Sequence, residues 1–179
     1  IAVCGCEIGI ALAGTASNAN AIPVMAFSIG ERELLDADIA PVGHLAAWNY
    51  FQSIKSAEND AFVKMWADFN EQRDKTTNDP MEATYIGIHM WKQAVEKAKT
   101  TDVDKVIAAM GGQTFKAPSG FTAKMDEKNH HLHKPVFIGE VKADGQFNVV
   151  WKTPAPVKAK PWSPFIEGND KKKDEPEKK

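Results

Sequence analysis

Residues 22–53, IPVMAFSIGERELLDADIAPVGHLAAWNYFQS, confine the fold more than any other stretch of the chain. Residues 22–27 form a short apolar run with Pro23 near its start, the pattern of a buried strand whose first position needs no ladder donor. Ser28, Ile29, Gly30 and Glu31 make a polar turn, and Glu31-Arg32-Glu33-Leu34-Leu35 opens a short helix with acids at its positive end. Beyond Pro41 and Gly43, residues 44–51 read as a second strand that ends on Trp48, Asn49, Tyr50 and Phe51. Two strands that deliver small polar and amphipathic aromatic groups to one sheet edge are how open α/β folds build a ligand cleft.

That junction supplies the candidate binding residues. A strand–turn–helix corner aims backbone N–H groups and a hydroxyl outward, which nominates Ser28 together with Gly30 and Glu31; Ser28 also fits as an ordinary helix N-cap. Strand alternation sets Trp48 and Tyr50 on one face and Asn49 and Phe51 on the other. Trp48 and Tyr50 make the better ligand pair, because each joins a flat apolar body to a polar handle, and an aromatic strand of this kind equally well packs as core.

With 179 residues the chain has the size of one domain or two small lobes, and its formal charge of -2 offers no field that would steer it to nucleic acid or an anionic membrane. Cys4 and Cys6 lack the partner pairs of a zinc or redox motif. Residues 1–21 form an apolar, leader-like segment, in which the mostly apolar run 1–13 is broken by Glu7 and is too short to span a bilayer. It reads either as the back half of a secretory signal, with Ala19-Asn20-Ala21 as the cleavage pattern, or as an amphipathic helix and loop leading into the first strand.

Downstream, Ser56 caps a helix in which Phe62, Met65, Trp66 and Phe69 form an apolar stripe. A second helix starts with Asp79 as N-cap and Pro80 at the first helical position, carrying Ile86, Met90, Trp91 and Ala94 on a wide apolar face. A shorter helix is capped at Thr101-Asp102 and stopped by Gly111-Gly112. Residues 114–120 read as a turn and 121–125 as a strand, and Asp144-Gly145 marks the tip of a β-hairpin. Residues 161–166 read as a last apolar anchor, and 167–179 as a solvated charged tail unable to order itself.

His130, His131 and His133 form the most metal-like cluster, but neighbouring histidines point different ways and Asp126 or Glu127 would have to bend back to complete a site, so no metal or other cofactor is assigned. The Ser-His-Asp, phosphate-loop, His-Glu-x-x-His and paired-carboxylate patterns are missing, which disfavours an enzyme.

The stretch quoted at the outset, followed in order by NDPMEATYIGIHMWKQAVEKA, TDVDKV, QTFKAPSG, NHHLHKPVFIGEVKADGQFNVVW and PWSPF, resembles the urea-binding protein of bacterial ABC transporters and the related short-chain amide receptors, all type I periplasmic solute-binding proteins. The likeness runs over residues 22–166 and matches the C-terminal half of such proteins. It implies an incomplete type I periplasmic-binding-protein fold of class α/β: Rossmann-like lobe elements, a parallel sheet flanked by helices, and a C-terminal β-hairpin. It further implies a non-catalytic, extracytoplasmic solute-binding component that works with an ABC transporter permease. Ser28, Gly30, Glu31, Trp48, Asn49 and Tyr50 would then line the cleft side of one lobe, with Ser28 bonding urea or a short-chain amide and Trp48 or Tyr50 covering its flat face. Because most of the first lobe falls outside the match, two roles follow: solute binding with the other half supplied elsewhere, including by another protein chain completing the fold, or a truncated relative docked as an accessory subunit on a larger complex.

Overall fold

The computed structural model describes residues 2–4, 24–35 and 42–172. The leader-like reading of residues 5–21 and the end of the charged tail lie outside them. Ala2–Cys4, part of that leader-like segment in the sequence, is a strand, β1. It lies at the edge of the main sheet and pairs in parallel with β2, Val24–Ala26, which pairs in parallel with β3, Leu45–Trp48. The hairpin forms as its Asp-Gly tip dictates: β7, Phe137–Val141, and β8, Phe147–Lys152, with Gly145 at positive φ between them. β7 lies antiparallel against β3, so the five-stranded order is β1-β2-β3-β7-β8. The parallel sheet expected from the sequence is thus a mixed one, with the hairpin built into it.

Among the described residues, four α-helices follow the capping signals. α1, Glu31–Leu35, is a single short turn after β2. α2, Ala57–Phe69, begins where the Ser56 side chain accepts from the Asn59 N–H. α3, Asp79–Ala98, is capped by Asn78 rather than Asp79: the Asn78 side chain accepts from Met81 N–H, and Asp79 turns inward. α4, Val103–Met110, is capped by Asp102 and ends at Gly111.

Residues 114–120, read as a turn, contain β4, Thr114–Lys116, which pairs with β5, Thr122–Met125; β6, Leu132–His133, completes a small antiparallel sheet. The Ala117-to-Gly120 corner makes this a hairpin, since Gly120 takes a left-handed φ and its N–H bonds Ala117 O.

Two cores result. Ala26, Ala46, Tyr50, Phe51, Phe62, Phe137 and Phe147 fill the space under the main sheet, where Phe51 stacks on Phe147 at 4.5 Å. Ile86, Met90, Ala117, Ala123 and Met125 join α3 to the small sheet. The apolar stripe of α2 is only partly used, because Phe62 is buried while Met65 and Phe69 face solvent. The expected anchor at 161–166 does not reach either core: Phe165 is 95% exposed, and Trp162 meets the Lys172 ammonium at 4.0 Å. The tail read as unable to order carries one 3-10 turn at Asn169–Lys171. No described helix is long and apolar enough to cross a membrane.

Candidate functional site

β2 and β3 are parallel neighbours, so the turn after β2 and the residues after β3 emerge at the same sheet edge. Gly30 caps α1 there: its carbonyl receives Leu34 N–H, and its own N–H donates to Glu33 Oε2 at 2.9 Å, the returning half of a capping box. The N-cap position therefore belongs to Gly30 and not to Ser28, which sits half-buried two residues earlier. The Trp48 ring lies over Gly30 so closely that a Cβ there would stand 2.8 Å from Cζ3.

Three successive charged residues hold this turn. The buried Glu31 carboxylate accepts from the Ser53 N–H at 3.1 Å and from its hydroxyl at 3.3 Å, leaving Oε2 without a partner. Burial pushes its pKa up to about 7, against smaller lowering by the hydrogen bonds it accepts. Arg32 pairs with Asp74, and Glu33 Oε1 accepts from Asn78 Nδ2 at 2.7 Å.

The structure separates the six residues nominated by the sequence. Ser28, Gly30 and Trp48 share the rim. Glu31 is corrected: only 1% exposed, it points inward as a brace for the Ser53 loop. Tyr50 is corrected as well, because β3 ends at Trp48 and the alternation stops with it. Tyr50 and Phe51 both enter the core, and the Tyr50 hydroxyl bonds Asn59 and Thr77. Asn49 is committed internally, its N–H to Asp79 Oδ2 at 3.0 Å and its Nδ2 to the Pro135 carbonyl at 2.6 Å.

Sequence reasoning missed a buried ionic cluster beside Asn49. Lys134 Nζ lies 3.2 Å from Asp79 Oδ1 and 2.7 Å from Glu82 Oε2, while Glu82 Oε1 accepts from the Ser119 N–H at 2.9 Å. Burial raises the Glu82 pKa more than Lys134 lowers it; burial also works against the Lys134 ammonium, but the two carboxylates outweigh that and hold its pKa up. The available signal was the i, i+3 pair Asp79 and Glu82 on one face of α3, too common on helices to single out. In the histidine loop, His133 Nε2 lies 3.1 Å from Asp126 Oδ2, and among the described residues no group of three metal-ligating side chains comes together.

An open groove of about 1810 Å³ lies elsewhere, between α2 and the β7–β8 hairpin. Ser53 and Gln52 reach it, and none of the six nominated residues does.

An open α/β sheet with a polar turn and an indole ring at its carboxyl edge has the architecture of a small-molecule binding domain. The chain belongs to the family described as periplasmic binding protein domain, whose model matches residues 10–168. Its fold is similar to that of a solute-binding protein of an ABC transporter from Rhodopseudomonas palustris HaA2 in complex with p-hydroxybenzoic acid, at TM-score 0.70 and 25% identity over 82% of this chain and 41% of that one. It is also similar to a leucine binding protein from Thermotoga maritima MSB8, at TM-score 0.67 and 20% identity over 83% and 42% of the two chains, a likeness of fold alone. A limonene hydroxylase of Geobacillus stearothermophilus is 38% identical over 119 residues, which are 66% of this chain and 21% of that protein. The chain thus spans less than half the length of these solved structures and about a fifth of that relative.

Proposed function

We propose that this chain is the C-terminal part of the solute-binding component of an ABC-type uptake system, acting outside the cytoplasm with a membrane permease, without catalysis, on urea or a short-chain amide. The observation that carries this reading is the meeting of Trp48 with the Ser28–Gly30 turn at the common edge of β2 and β3. A flat neutral guest suits an indole face beside a hydroxyl and backbone groups, because any polar atom left unpaired costs roughly 1–3 kcal/mol and rejects near neighbours. An aromatic acid of the kind named for the Rhodopseudomonas protein brings a carboxylate, and the cation nearest this turn in sequence, Arg32, is already paired with Asp74. The ordered series of sequence blocks quoted above favours the amide class.

Calorimetric titration of the folded chain with urea, acetamide, leucine and p-hydroxybenzoate tests the ligand. Heat from urea or acetamide that disappears in Trp48→Ala supports the reading; heat only from p-hydroxybenzoate or leucine reassigns the ligand, and none at all counts against solute binding by this chain. A second reading, an accessory subunit docked on a larger complex, is favoured by Phe69 and Phe165, which stand 79% and 95% exposed. Co-elution with a second chain in size-exclusion chromatography would support it.

A further inference from the structure

The end of the described chain carries an apolar surface that neither core uses. After β8 the backbone is held to the molecule where Val157 N–H donates to Lys134 O at 2.8 Å, and it then runs on over residues 158–172. Residues 162–172 close on themselves as a loop. Asn169 Nδ2 donates to Ser163 O at 2.9 Å, Asn169 N–H donates to Ile166 O at 3.1 Å, and the Lys172 ammonium lies 4.0 Å from the centre of the Trp162 ring. Gly168, at φ 82°, turns the chain into the 3-10 turn that completes the loop. A built base thus holds an apolar tip in solvent: Phe165 is 95% exposed, Ile166 62% and Trp162 41%. Around that tip the sequence places Lys158, Lys160, Lys171 and Lys172, all exposed, against the two acids Glu167 and Asp170. The segment is cationic in a chain whose formal charge is -2.

We propose that residues 158–172 attach this protein to the surface of an anionic lipid bilayer. Phe165 and Ile166 enter the boundary between headgroups and acyl chains, Trp162 lies at headgroup level, and the lysines meet lipid phosphates. Charge and shape both favour a bilayer over a protein partner. The four ammonium groups carry the sign that lipid phosphates complement, and a ring as exposed as Phe165 needs a matching hollow in a protein but none in a fluid layer. Neither signal holds a membrane well alone, whereas an apolar wedge joined to a basic patch does so. The contact is with the surface only, since no described helix is long and apolar enough to cross a membrane. Attachment is independent of which solute the rim at Trp48 takes, and it holds the protein where a membrane permease can be reached.

Flotation of the full 179-residue chain with lipid vesicles tests this. On equal parts phosphatidylglycerol and phosphatidylcholine the parent should float with the lipid; on phosphatidylcholine alone, or at high salt, the bound fraction should fall severalfold. Phe165→Ser/Ile166→Ser should lower binding to the mixed vesicles by about tenfold or more, and Lys158→Glu/Lys160→Glu should do the same, with circular dichroism showing each variant folded. Should one variant fail to fold, the other decides. A folded parent that stays in the soluble fraction on the mixed vesicles overturns the proposal. Flotation of Phe165→Ser/Ile166→Ser equal to the parent's also overturns it, by giving the attachment to another surface. Loss of a co-eluting protein in that variant, with no flotation of the parent, assigns the loop to a protein partner and overturns it as well.

Discussion

The Tyr50 hydroxyl lies 2.6 Å from Asn59 Oδ1 and 2.8 Å from Thr77 Oγ1, inside a core that leaves the ring no exposed surface. Asn59 in turn donates through Nδ2 to the carbonyls of Gln52 and Ile54, at 2.7 Å each, so one phenol anchors the loop between β3 and α2. Removing that oxygen strands a buried acceptor. Tyr50→Phe should lower stability by about 1–3 kcal/mol, read as a lower guanidinium midpoint at unchanged slope. A variant as stable as the parent would show that the hydroxyl contributes nothing to the loop.

The fate of Tyr50 shows where the sequence stops being readable. Alternation is a property of a paired strand, and pairing of β3 with β7 ends at Trp48 opposite Phe137. Past that point Asn49 N–H goes to Asp79, 30 residues on, and nothing local announces the departure. Caps and turns were legible because their causes are local: Ser56, Asp102, Gly111 and the Asp144-Gly145 tip fall where the sequence puts them. Asn78 and Asp79 are equally good caps, and the distant Lys134 together with the Asn49 N–H holds Asp79 inward. β4 escaped because its three residues are mostly exposed and gain their strand character from β5. The rim itself was half legible: the turn and Trp48 come from adjacent pattern, whereas the burial of Glu31 depends on Ser53.

Glu31 should make stability fall with rising pH. Its folded pKa of about 7 stands above the ordinary 4.5, so the folded state holds the proton more tightly than the unfolded one. The burial penalty is absent below 4.5, grows between 4.5 and about 7, and is complete above that. Glu31→Gln keeps an oxygen for Ser53 and removes the ionisation. At alkaline pH the variant should exceed the parent by up to about 3 kcal/mol, with the gap closing toward mildly acidic pH. Denaturation midpoints of both proteins across that range check it, and parallel pH profiles would show that Glu31 does not titrate in this window.

Gly30 is required by the ring above it. A methyl group there would stand 2.8 Å from Trp48 Cζ3, and the indole, packed against the core beneath β3, has to tilt to admit it. Gly30→Ala should cost about 1–3 kcal/mol and shift Trp48 emission toward longer wavelength as the ring gains water. The same substitution should weaken any urea or acetamide binding. Unaltered emission would mean that the turn, not the ring, gives way.

Exposed and buried phenylalanines on the same helix should behave oppositely, and the contrast bears on what the rest of the molecule does. Phe62, 4% exposed, meets Tyr50 edge-on at 6.0 Å and Tyr85 at 4.9 Å, so Phe62→Ala opens a cavity and should cost about 3–5 kcal/mol. Phe69, two turns along α2, and Phe165 near the end of the described chain touch neither core, and replacing either by serine should change stability by less than about 0.5 kcal/mol. Rings of this size carry an apolar cost in water that only a covering surface removes. If a second chain covers them, Phe69→Ser/Phe165→Ser should abolish its co-elution while leaving thermal unfolding of the isolated chain unmoved. A double variant that unfolds at much lower temperature would instead place those rings in a core of this chain's own.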